Sequence, residues 1–135
     1  MIEVAAGLLL HHGKLLITQR PQVTHLAGLW EFPGGKRHPS ESFQSCLARE
    51  LHEELGILVS VGNLWHRVTH AYPGKDVYLE FYLCSLLKNS PPPTAIGCAA
   101  LQWVTASGIG AYEFPAADRL LVDALQGQPE IWRNA

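Results

Sequence analysis

Gly35 opens the spaced pattern that constrains this chain most: five residues lead to Glu41, seven more to Arg49-Glu50-Leu51, and Glu53-Glu54-Leu55-Gly56-Ile57 completes it. Within the pattern Phe43, Leu47, Leu51 and Leu55 recur every fourth residue, which predicts a helix burying one stripe. Ser40 in Pro39-Ser40-Glu41 is the expected N-cap, and Gly56 stands where a glycine C-cap belongs. On that helix Glu50, Glu53 and Glu54 fall at i, i+3 and i+4, so they share a face bordering the stripe. Three carboxylates so close repel one another. A divalent cation relieves the repulsion, and hard oxygen ligands of this kind suit Mg²⁺, with Mn²⁺ as an alternative. Arg49 pairs with a neighbouring carboxylate and fixes its rotamer. Gly34-Gly35, just upstream, lets the backbone turn tightly and approach a ligand.

The remaining sequence bounds the setting. At 135 residues a single domain, 1–135, is expected. A net charge of −2 argues against a nucleic-acid polymer or an anionic membrane as the main partner. Cys46, Cys84 and Cys98 lack paired zinc spacing and fit a reduced interior. The opening Met1-Ile2-Glu3-Val4 lacks a basic segment followed by a long apolar run, so no secretion signal is expected and the location reads as cytoplasmic. No apolar stretch reaches the ~18 residues of a membrane span.

Strands are predicted at Val4 to Leu10, buried on both faces, and at Lys14 to Arg20 after the turn His12-Gly13. Pro21 to Gly28 reads as a loop, and Trp30-Glu31-Phe32 as a short extended piece. Further strands fall at Ile57 to Val68, Val77 to Leu87 and Ala100 to Val104. A closing helix after Phe114-Pro115 places Leu120, Leu121 and Leu125 inward, and residues from about Gly127 read as a tail. Mixed strands with two main helices predict an α/β fold, a sheet sandwiched between helices.

The spaced pattern, with Leu16-Ile17-Thr18-Gln19-Arg20, Leu29 to Lys36, Trp103 and Phe114-Pro115-Ala116-Ala117-Asp118, resembles the Nudix hydrolases, and within them the MutT-like branch. The resemblance spans nearly the whole chain. It implies a Nudix α/β/α sandwich with a mixed β-sheet, and metal-dependent hydrolysis of a nucleoside triphosphate to a monophosphate and pyrophosphate. The substrate implied is an oxidised purine nucleotide such as 8-oxo-dGTP, in nucleotide-pool sanitation and DNA repair. Glu50, Glu53, Glu54 and the Gly34 carbonyl would be metal ligands, with Glu50, Glu53 and Arg49 catalytic. The resemblance puts Arg20, Phe32 and Asp118 at the substrate. The residues also allow Arg20 as a strand-end surface cation, Phe32 and Trp30 as core, and Asp118 as a helix cap. A monomer or a homodimer is expected.

One departure bears on catalysis. The MutT-like branch commonly places a Glu in the loop before the Trp-bearing strand, yet no Asp or Glu occurs from Phe81 to Tyr112. Water activation then falls to Glu50, or to a carboxylate from elsewhere such as Glu113 or Asp76. Two alternatives stay open: hydrolysis of another nucleotide such as a pyrimidine triphosphate, and a non-catalytic nucleotide-binding Nudix domain. His38 and His52 read as solvent-facing, and His70 and Tyr72 carry no assigned role.

Overall fold

Ten residues with no charge but Glu3 build the first strand, β1 (Ile2–His11), and its run from Ala5 to Leu10 is buried on both faces, as the sequence predicts. In the computed structural model, which describes residues 1–22 and 26–133, β1 is central and the other strands assemble around it. The turn His12-Gly13, with both residues at positive φ, returns the chain as β2 (Lys14–Gln19), one residue shorter than expected. Next come β3 (Trp30–Glu31) and β4 (Gly34–Lys36). The predicted loop Pro21 to Gly28 lies partly outside the described residues.

The helix α1 (Phe43–Leu55) follows, then β5 (Val59–Tyr72), β6 (Lys75–Leu86), β7 (Ala100–Val104), α2 (Ala116–Gln126) and α3 (Pro129–Arg133). β1 pairs in parallel with β6 and antiparallel with β4, and β5 closes the far edge beside β6. The second group, β7-β2-β3, joins β1 only at its end, through Leu10↔Leu15 and His11↔Lys14. The sheet is thus mixed. One face packs against α1 through Ala5, Leu9, Leu16, Leu47, Leu51 and Leu55, and the other against α2 and α3 through Leu8, Ile17, Phe81, Leu121, Leu125 and Trp132. This is the expected α/β/α sandwich. No described helix is long and apolar enough to cross a membrane.

Several boundaries move for local reasons. Ser42, not Ser40, caps α1, because its Oγ accepts the Ser45 N–H at 3.0 Å while residues 38–41 close a turn of their own. Gly56 ends the helix in the left-handed region at φ 69°, as predicted. The strands β5 and β6 run past the predicted ends, Val68 and Val77, to a tight turn at Pro73-Gly74. Leu120 is 78% exposed; α2 buries Leu121, Val122 and Leu125 instead. The expected tail contains α3, held by buried Trp132, whose indole N–H donates to the Leu125 carbonyl at 2.9 Å.

Candidate active site

The two glycines before α1 are required by what stands against them. A Cβ on Gly34 would lie 2.0 Å from the Ala5 carbonyl oxygen, so only glycine lets β4 approach β1. A Cβ on Gly35 would lie 2.2 Å from the Glu50 carboxyl carbon. Glu50 therefore rests directly over bare backbone. The β4–β1 register sets the carbonyls. Arg37 N–H donates to Glu3 O and Gly7 N–H to Pro33 O, so the hydrogen-bonded pairs are at odd positions. Gly34 sits at a non-bonded position, which directs its carbonyl away from β1. From the helix side, the Cys46 thiol donates to the Gly35 carbonyl at 3.6 Å.

Arg49 organises the carboxylates. Its Nη2 and Nε donate to the two oxygens of Glu41 at 2.7 and 3.0 Å, its Nη1 to Glu50 Oε1 at 3.0 Å and Glu53 Oε2 at 3.1 Å, and Nη2 also to the Lys36 carbonyl. Those hydrogen bonds, with one from the His38 backbone, hold the Glu41 carboxyl down at about 2. The wide spacing of Glu41 from Arg49 in sequence is thus the span from the entry turn to the helix interior. Arg49 fixes carboxylates, as expected.

Glu50 and Glu54 line one cavity with Gly34 and Gly35, about 510 Å³ in volume. Glu53, 56% exposed, stands outside it on the Arg49 side. Burial, then the charges of Glu50 and Glu31, pushes the Glu54 carboxyl up to about 7. Among the described residues no three His, Cys, Asp or Glu side chains converge on one point. The donors that do face the cavity are hard oxygens beside excess negative charge, a chemistry that fits a cation such as Mg²⁺.

The same cavity continues to Arg20, Glu31, Phe32 and Asp118. Its floor is apolar: Val4, Ala6, Leu79 and Phe81. Phe32 joins both readings, because it is buried at 5% in the core against Phe81 and Phe114 and still lines the cavity. Trp30 packs edge-on against Tyr112. Arg20 Nη1 donates to Glu31 Oε1 at 3.0 Å.

Asp118 lies in the first turn of α2, whose N-cap is Pro115 and lacks a side-chain cap bond. A side chain at this third helical position caps by reaching back to the N-cap N–H, and proline has none. Instead Asp118 lines the cavity, and burial, with Glu31 nearby, pushes its carboxyl up to about 6. Glu31 escaped the sequence reading, although a charge between Trp30 and Phe32 was the available signal. Burial raises its carboxyl too, against the pull of Arg20. Tyr72 also acquires a place, in a groove that extends the cavity past Asp118 together with Lys75.

The acids of the cavity among the described residues are Glu31, Glu50, Glu54 and Asp118. Glu113 and Asp76 are exposed and lie outside it. The loop without acids folds over the end of α1: Thr94 N–H donates to Leu55 O, and Ile96 and Gly97 N–H both donate to Glu54 O. It satisfies carbonyls that a helix end leaves open. It also brings Cys98 near Glu54 and Glu31, whose charges add to burial in raising its thiol.

Comparison with known proteins agrees with this geometry. The family pattern described as NUDIX domain matches residues 5–124. An 8-oxo-dGTP diphosphatase of Haemophilus influenzae is 34% identical over 93% of this chain and 91% of its own. A CTP pyrophosphohydrolase of Escherichia coli is 55% identical over a shorter match, 59% of each chain. Among solved structures, the E. coli ORF135 protein superposes with a TM-score of 0.80 at 35% identity, covering 95% of this chain and 90% of that one. A MutT structure (Aliivibrio salmonicida and Vibrio cholerae) gives 0.78 at 26%, covering 94% and 97%. By sequence pattern and fold alike, the chain belongs to the Nudix hydrolase family.

Proposed function

We propose that this protein hydrolyses a nucleoside triphosphate, with a bound divalent cation, to a nucleoside monophosphate and pyrophosphate. One observation carries the reading: a single cavity joins the Gly34, Glu50, Glu54 oxygens at one end to the Glu31, Asp118 pair over an apolar floor at the other. The first end suits phosphates, the second a planar base with polar edges.

The Gly34 carbonyl, Glu50 and Glu54 would hold Mg²⁺ or Mn²⁺, with Glu53 joining them on leaving Arg49. Such a cation neutralises and orients the transferring phosphate and lowers the pKa of water. Glu50, held over Gly35 by Arg49, takes the proton of the attacking water. The water oxygen bonds to phosphorus as the bond from that phosphorus to the α–β bridging oxygen breaks. The bond electrons leave with that oxygen, and Glu50 returns its proton to solvent. Arg49 keeps Glu50 in place by its 3.0 Å bond.

At the other end two carboxyls with raised affinity for protons, Glu31 and Asp118, offer an acceptor and, when one is protonated, a donor. That pairing suits an oxidised guanine, as in 8-oxo-dGTP, and a role in nucleotide-pool sanitation. A second reading, a pyrimidine triphosphate, draws on the 55% identity to a CTP pyrophosphohydrolase. The deciding experiment incubates the protein with a panel of triphosphates, including 8-oxo-dGTP, dGTP and CTP, plus Mg²⁺ or Mn²⁺. Monophosphate and pyrophosphate are scored, for wild type, Asp118→Ala and Asp118→Asn. A changed ranking of bases in Asp118→Asn supports base reading. Parallel changes for every base refute it. Tight nucleotide binding with no product from any substrate means a non-catalytic domain.

A further inference from the structure

His38 stands in the turn between β4 and α1 and lines the same cavity as Gly34, Gly35, Lys36 and Glu50. The sequence left it as a solvent-facing residue. It is indeed 63% exposed, but at the mouth of the site. The turn that carries it is fixed. His38 N–H donates to Glu41 Oε1 at 2.9 Å, and Glu41 N–H donates to the His38 carbonyl at 3.2 Å. Glu41 is itself clamped by Arg49. The His38 ring sits with Nδ1 3.9 Å from Glu41 Oε1.

Its neighbour Arg37 is engaged elsewhere. Arg37 pairs with Glu3, donates to the Glu41 carbonyl at 2.8 Å, and lies over the Phe43 ring at 5.0 Å. Of the two basic residues in this turn, His38 is therefore the one at the cavity, where Lys36 of β4 lines it as well.

The helix α1 gives the order of groups along the site. Glu54 lies nearest the base end, where Glu31 and Arg20 act on it. Glu50 comes one turn earlier, over Gly35. Arg49 reaches on from there to Glu41, beside His38. His38 thus lies beyond Glu50 from Glu31 and Asp118. A nucleotide with its base at Asp118 and its reacting phosphorus at Glu50 and Glu54 carries its outer phosphates towards His38.

We propose that His38 is a specificity-determining residue, donating an imidazole N–H hydrogen bond to the phosphates beyond the α–β bridge and so selecting ligands that carry a pyrophosphate end. This rests on the nucleotide reading given above. The test measures product inhibition in wild type, His38→Ala and His38→Gln, using Mg²⁺ and the best triphosphate of the panel. Inorganic pyrophosphate and the nucleoside monophosphate serve as the two inhibitors. In His38→Ala, pyrophosphate inhibition should weaken about tenfold and KM for the triphosphate rise in step, while monophosphate inhibition moves less than twofold. His38→Gln, which keeps an N–H donor, should recover part of the loss. The turn should survive both changes, since its bonds to Glu41 use the His38 backbone, and an unchanged melting temperature checks this. Equal weakening of both inhibitors, or of neither, overturns the proposal and leaves His38 as a surface residue of the turn. A wild type without triphosphatase activity overturns the nucleotide reading and this inference with it. An active wild type with indifferent His38 variants overturns this inference alone.

Discussion

Adding one methyl group at Gly35 should disable the site while leaving the fold in place. The Cβ of Gly35→Ala would come within 2.2 Å of the Glu50 carboxyl carbon and within 2.3 and 2.7 Å of its oxygens. Those are far inside van der Waals contact, so Glu50 must swing away. A glutamate terminus moves at little cost. What is lost is its place over Gly35 and its 3.0 Å bond to Arg49. That pair is partly exposed, at 15% and 25%, so breaking it should cost about 1 kcal/mol of stability and roughly 4 °C in melting temperature. Catalysis should suffer more. Losing a positioned metal ligand and proton acceptor should lower kcat/KM by roughly a hundredfold, about 2.7 kcal/mol of transition-state stabilisation. The control is its neighbour. In Gly34→Ala the obstacle is the Ala5 carbonyl at 2.0 Å, which is backbone and cannot rotate aside. That substitution should force β4 from β1 and cost about 3 kcal/mol or more, seen as a melting point lower by roughly 10 °C. Thermal melts and steady-state kinetics on the two variants check the reasoning. A Gly35→Ala enzyme with wild-type kcat/KM, or one as unstable as Gly34→Ala, would refute it.

Glu54→Gln should cut turnover by roughly a hundredfold or more at saturating Mg²⁺, and Glu53→Gln should match it if Glu53 leaves Arg49 on metal binding; wild-type turnover in both sinks the assignment of the acidic face. Millimolar Mg²⁺ or Mn²⁺ should raise the melting temperature by mass action, and Glu50→Gln should blunt the rise; a melt indifferent to both ions counts against a preformed site. Burial, with Glu31 nearby, pushes the Asp118 carboxyl from 3.8 up to about 6, so the folded state should bind more protons between those values, and this residue should lower stability as pH climbs through that window. Asp118→Asn should therefore melt higher than wild type at pH 8, by roughly 1 to 3 kcal/mol, and lose that advantage below about pH 4; equal gains at both pH values exclude a titrating Asp118. Glu41 behaves in the opposite sense. Its carboxyl falls from 4.5 to about 2, so the stability it lends through Arg49 is present above pH 4.5 and lost as pH drops towards 2. A Glu41→Gln melt that tracks wild type across that acid range would show the clamp to be inert.

How much of this was legible beforehand depends on how local each constraint is. The four-residue stripe of α1 and its Gly56 stop are local, and they appear where the sequence put them. So does the double burial of β1, because helices cover both faces of the sheet, α1 on one and α2 with α3 on the other, and demand an unbroken apolar run. The Ser42 cap was missed, since Ser40 and Ser42 carry the same chemistry and only the turn at 38–41 separates them. Leu120 was misplaced by one step of helix rotation. The buried stripe of α2 centres on Leu121, Val122 and Leu125, and Leu120 falls outside it at 78% exposed. Trp132 looked like part of a tail because its partner, the Leu125 carbonyl, belongs to an adjacent helix end that no periodicity reveals.

The site divides along the same line. The end proposed to take the phosphates comes from one continuous stretch, Gly34 to Glu54, so the motif predicts it. The end proposed to take the base is assembled from Arg20 just past β2, Glu31 of β3 and Asp118 of α2, and no spacing in the sequence joins these three. Pro115 decides Asp118: a proline at the N-cap has no N–H to receive a capping carboxylate, and the side chain faces the cavity instead. That argument was available from Phe114-Pro115-Ala116-Ala117-Asp118 once the helix start was known to within a residue. Glu31 needed more. Its significance comes from burial beside Asp118 and from Arg20 across the strand pair, and both follow from β2–β3 register. The two ends therefore answer to different tests. Changes within Gly34 to Glu54 should alter turnover for every nucleotide alike, whereas changes at Glu31 or Asp118 should alter which nucleotide is preferred.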